Sequence, residues 1–192
     1  MHKIAENISK WMIQNGADEN LLEEYTYGIE GGLSTALFIV ILLIIGIILK
    51  RVPDMLVYIA VWIPMRFLAG GVHANTHLAC TTISVAIGVV CTQFALYINA
   101  LPIYAVAATI ILCYIILFAI APVVHKNHPV TKGHIMKMRK VGRITEALVG
   151  IAIIAVYFLK WHIFAAAFAA YANVAVLAVI GYFNKNTLRE YE

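Results

Sequence analysis

Apolar residues in this chain gather into six long blocks, separated by shorter stretches that carry most of the polar and charged side chains. The blocks run from Leu33 to Leu49, Met55 to Gly70, Thr76 to Ile98, Leu101 to Val124, Ile144 to Leu159 and Ile163 to Phe183. A helix needs roughly 20 residues to cross a hydrocarbon core of about 30 Å, and these blocks approach or exceed that length. The pattern predicts an all-α, polytopic integral membrane protein with about six transmembrane helices. The second block is the weakest. It covers about 24 Å, and Pro64 and Arg66 interrupt its last turn, so the alternative is four spans with re-entrant pieces around residues 55–98. Lys160, Trp161 and His162 read as an interfacial turn between the last two spans, because Trp and Lys favour the headgroup level.

Residues 1–28 follow a different period. Ile4, Ile8, Trp11 and Met12 form one apolar stripe on a helix whose other faces carry Lys3, Glu6 and Lys10. That pattern predicts an amphipathic helix lying on the membrane surface; packing on the chain's own loops is the alternative. Gly16 to Asp18 breaks the stripe, and Leu21 to Tyr27 reads as the start of a second short helix. Glu6, Asp18, Glu19, Glu23 and Glu24, with no apolar core among them, argue against a secretory signal. Without repeats or low-complexity tracts, residues 1–192 read as a single membrane-embedded domain.

Composition agrees with a bilayer as solvent: 62% of the residues are hydrophobic and 12% charged, about half the charged fraction of a soluble domain. The placement of charge predicts orientation. Residues 125–143 carry Lys126, Lys132, Lys137, Arg139, Lys140 and Arg143 with no acid, so this basic loop is expected in the cytoplasm. Six spans then put both termini inside, with Lys185 and Arg189 in agreement and Lys50 and Arg51 against. Residues 70–75 fall near the cytoplasmic face. Lipid is an expected partner, and no nucleic acid is.

Within this apolar chain, residues 66–80 read RFLAGGVHANTHLAC. Ionisable residues at membrane depth are functional candidates by default. Of the three cysteines, Cys91 and Cys113 sit in apolar runs and read as packing, whereas Cys80 has histidines nearby. A cysteine becomes a nucleophile when a base is held beside it. His77 is three residues before Cys80, a spacing that brings side chains together on a regular helix. His73 is two turns away, about 10.5 Å along a continuous helix. Gly70 and Gly71 permit a bend, however, and a helix beginning near Asn75 or Thr76 would let His73 fold back over its first turn. Geometry permits either histidine. Asn75 and Glu30 are candidates to orient the pair. His73, His77 and Cys80 also share a helical face suited to zinc, but no fourth ligand is obvious nearby and no carboxylate lies between residues 55 and 145. No metal or other cofactor is expected. Arg66 is placed either to bind a substrate carboxylate or carbonyl, or to snorkel to the headgroups.

The pattern R-x4-G-x-H-x6-C, formed by Arg66, Gly71, His73 and Cys80, resembles the AgrB family, the accessory gene regulator endopeptidases of Gram-positive quorum sensing. Ala121-Pro122, Lys126, Pro129 and the following basic residues resemble that family's Ala-Pro and lysine-rich loop. The amphipathic start and Glu23-Glu24-Tyr25 also fit. The resemblance implies that His73 and Cys80 are the catalytic pair and leaves His77 as a neighbour that tunes the site. It implies cleavage of an AgrD-like precursor peptide through an acyl-thioester on Cys80, followed by closure of a thiolactone or lactone ring, and a homodimer. Lys126, Lys132 and Lys137 are the candidates to hold an acidic peptide tail; anchoring to anionic lipid is their other reading. The competing function is a small membrane transporter that exports a peptide or solute.

Overall fold

The computed structural model describes residues 1–71, 76–124 and 132–184. Among these there are seven α-helices: α1 (His2–Gln14), α2 (Leu22–Ile48), α3 (Val52–Ala69), α4 (His77–Ile98), α5 (Ile103–Ile120), α6 (Lys132–Phe158) and α7 (Phe164–Phe183). A single 3-10 turn, Glu19–Leu21, precedes α2. Helices α2 to α7 are each long and apolar enough to cross a membrane, so the six blocks are six helices and six candidate spans.

Helix α7 is the centre of the bundle. In its most apolar window 78% of residues are buried, against 22–39% in the other five spans. Its sequence explains the placement, because Ala165, Ala166, Ala169, Ala170, Ala175 and Ala178 let neighbouring backbones approach closely. The outer helices turn Ile44, Phe94, Ile115 and Leu148 outward, as lipid-facing helices do. Glycines mark the tightest crossings. A Cβ on Gly46 would lie 2.9 Å from Met55, and one on Gly150 would lie 2.9 Å from Ile110.

Four points of the structure sharpen or change the sequence-based expectation. Helix α2 is one helix that begins at Leu22, so Leu21 to Tyr27 is its first part and not a separate segment. Glu23 and Glu24 in its first turn complement the positive end of the helix, and Asp18 accepts a 2.9 Å hydrogen bond from Asn20 N–H just before it. Helix α3 continues past Pro64 to Ala69. The proline forfeits one backbone hydrogen bond, while Tyr58, Trp62, Met65 and Ala69 around it are all buried in the core. Helix α6 begins at Lys132, so residues 132–143 are helix where a basic loop is expected. Finally, α1 packs on α2 through Ala5 and Ser9, with Thr26 donating to Ser9 Oγ at 3.1 Å. Its apolar stripe faces away from the protein: Ile4 is 57% and Trp11 63% exposed. Among the described residues, most of Ile4 and Trp11 is left uncovered.

Contacts define two ends of the bundle. At one end Gly70 and Val123 form a bridge, with Val123 N–H donating to Ala69 O at 2.9 Å, and Arg143 Nη2 donates to Phe118 O at 3.1 Å. At the other end Tyr157 OH donates to Leu101 O at 3.2 Å beside the exposed Lys160–Trp161 turn. Arg51, also outside the basic end, pairs with Asp54 at 2.9 Å.

Candidate active site

Three helices converge on a cavity of about 740 Å³ at the end of the bundle where Gly70 and Val123 meet. The first half of α2, the second half of α3 and the first turns of α4 line it. The start of α4 is set by Thr76, whose Oγ1 accepts from Ala79 N–H at 3.2 Å, at one of the two helix starts expected from sequence. Cys80 follows one turn later, its N–H donating to Thr76 O at 3.0 Å, with a half-buried thiol in the cavity wall. Thr81, the next residue, hydrogen-bonds Ser34 of α2 at 2.5 Å. That bond ties the cysteine's helix to the opposite wall. Ser34→Ala removes one side of it, and a net loss of about 1 kcal/mol of α2–α4 contact is expected. The loss should appear as a melting temperature lower by about 2–4 °C in detergent, with the amount of protein inserted in the membrane unchanged.

Arg66 also lines the cavity, and its guanidinium lies within electrostatic reach of Cys80. Its Nη1 donates to the carbonyl of Gly70, so it closes the C-terminus of α3. The side chain is thus turned toward the C-terminal end of its own helix. Deeper in the cavity, Phe38 and Trp62 pack with ring centroids 4.8 Å apart and form an aromatic floor.

The bend expected at the two glycines is present. Gly70 and Gly71 have φ of +69° and +125°, and they take the chain off the axis of α3 before α4 begins at His77. A straight helix through residues 70–80 is excluded. His73 and Asn75 lie outside the described residues, as do Lys126 and the side chains of His77 and Lys132; His77 opens α4 and Lys132 opens α6. Lys137 is exposed on α6. Glu30, considered as an orienter, has its Oε1 2.9 Å from His2 Nδ1 and is not part of the cavity wall. The sequence reading missed Ser34, Thr81, Trp62 and Gly28, Gly31 and Gly32 of α2, all of which line the cavity. The spacing of Gly28, Gly31 and Gly32 on one helical face was the available signal.

Fold and site together define a multi-pass membrane protein with a cysteine at a helix start, facing a largely apolar cavity beside an arginine. The chain matches the model of the family Accessory gene regulator B over residues 1–184, and it belongs to the AgrB family. Membership implies processing of an autoinducer precursor peptide in the membrane. No curated protein and no solved structure matches the chain.

Proposed function

We propose that this protein is a membrane cysteine endopeptidase that removes the C-terminal tail of its quorum-sensing precursor and promotes ring closure. The observation that carries the reading is Cys80 in the wall of a cavity it shares with Arg66. His73 takes the thiol proton, and the Cys80 thiolate attacks the scissile carbonyl carbon. The C–N bond breaks, the leaving amine takes the proton from His73, and an acyl-thioester remains on Cys80. A thiol or hydroxyl within the precursor then attacks that carbonyl, closes the thiolactone or lactone, and releases Cys80. Apolar walls limit the water that would compete for the thioester. The turn at Gly70 and Gly71 supports a fold-back of His73, and Arg66 beside Cys80 suits the developing oxyanion.

In this reading both termini and the cavity mouth face the cytoplasm, Lys126, Lys132 and Lys137 attract the acidic peptide tail, His77 tunes the pair, and the working unit is a homodimer. The intermediate provides the test. A precursor whose internal nucleophile is replaced by alanine should leave a hydroxylamine-labile acyl adduct on Cys80, seen by mass spectrometry. Tail release without any such adduct would overturn the thioester scheme.

A further inference from the structure

Three glycines of α2 have no neighbour among the described residues that calls for them. Gly46, Gly88 and Gly150 sit at helix crossings where a Cβ would meet another helix at 2.9, 3.1 and 2.9 Å. Gly28, Gly31 and Gly32 are helical as well, yet among the described residues a Cβ on any of them would meet nothing within 4 Å. Glycine inside a helix costs conformational entropy relative to alanine, so three within five residues are a liability without a compensating contact. All three line the cavity that holds Cys80. Ser34, one helical turn from Gly31, sits at the level of Thr81 through their hydrogen bond, so the bare face runs up to the level of the cysteine. Trp62 is nine-tenths buried in the same wall, and its indole N–H has no partner among the described residues.

We propose that the Gly28–Gly31–Gly32 face is a steric gauge for the peptide substrate. The bare helix backbone makes room for the substrate chain and one bulky apolar side chain beside the scissile bond while the carbonyl is held at Cys80. The cavity volume of about 740 Å³ is that of a site for a ligand of several residues. The aromatic floor of Phe38 and Trp62 sets an apolar preference. A second copy of this chain is the competing occupant, since Gly28-x-x-x-Gly32 is a small-residue spacing that also suits helix pairing. The presence of the cysteine and arginine in the same wall favours the substrate.

This inference rests on the peptidase reading, and the experiment separates the two. Gly31→Leu and Gly32→Leu are assayed in vesicles for cleavage of the cognate precursor, for labelling of Cys80 by a small methanethiosulfonate, and for oligomeric state in detergent. The expected result is a loss of cleavage of at least about 10-fold, carried mainly by KM, with Cys80 labelling and oligomeric state unchanged. A precursor with alanine in place of the bulky residue next to the cut should be processed better by the leucine variants than by the wild type, relative to the normal precursor. Wild-type cleavage by both variants would overturn the gauge, as would loss of the oligomer in step with loss of cleavage. If Cys80→Ala still cleaves, the peptidase reading itself fails; if Cys80→Ala is inactive and Gly31→Leu is normal, only the gauge fails.

Discussion

Gly71→Ala is expected to abolish precursor processing and to lower the melting temperature of the purified protein by roughly 6–12 °C. Gly71 has φ of +125°, a region closed to side chains, so any replacement must move the backbone. It also has no room, because an added Cβ would stand 2.6 Å from Arg66 Nη1 and 2.8 Å from Leu177 O. The second neighbour is the backbone of the central helix α7, which cannot step aside without disturbing the core. Backbone strain and overpacking together cost on the order of 3 kcal/mol, which for a chain of this size is the stated change in melting temperature. Gly70→Ala meets the same fate against Val123 O, at φ of +69°. The matched control is Gly133→Ala in α6, where a Cβ meets nothing within 4 Å among the described residues; it should be neutral or slightly stabilising. Thermal unfolding in detergent, followed by cleavage assays in vesicles, checks all three. A Gly71→Ala protein with wild-type melting and wild-type cleavage would show that the two-glycine turn does not set the site.

Hydrophobic length alone predicted the six helices, because a bilayer demands one long apolar run for each crossing. It did less well at the ends of those runs. Residues 22–32 carry acids and three glycines, so the first apolar block gives no sign of them, yet they extend α2 by three turns and build one wall of the cavity. Residues 132–143 failed for the mirror reason: their basic character reads as loop although Met, Lys and Arg all favour helix. The alanines of α7 announced its central position, since a lipid-facing helix has no reason to be so rich in small residues. Cys80 and Arg66 were legible as polar groups in an apolar chain. Ser34 and Trp62 were not, because a serine or a tryptophan in a membrane helix is unremarkable until a neighbouring helix is brought against it.

Cys80→Ala is expected to reduce precursor cleavage by at least about 10³-fold, the scale on which losing a covalent nucleophile registers in a hydrolytic enzyme. The substitution removes only a sulfur from a half-buried position in the cavity wall, so folding and membrane insertion should be retained. Cys91→Ala and Cys113→Ala are the controls. Cys113 is buried on α5 and Cys91 lies farther along α4, neither in this cavity, and both variants should cleave normally. The histidines are separated by the same assay. His73→Ala should be as inactive as Cys80→Ala, and the double variant no worse than either single one, because residues that act as a unit do not lose activity additively. His77→Ala should retain partial activity. Loss of cleavage in His77→Ala with His73→Ala unaffected would reassign the base to the first residue of α4, as helix spacing by itself suggests. Export of peptide that persists in Cys80→Ala, with no cleavage requirement, would instead favour a transporter. Full cleavage in Cys80→Ala would remove the nucleophile from the scheme and the peptidase reading with it.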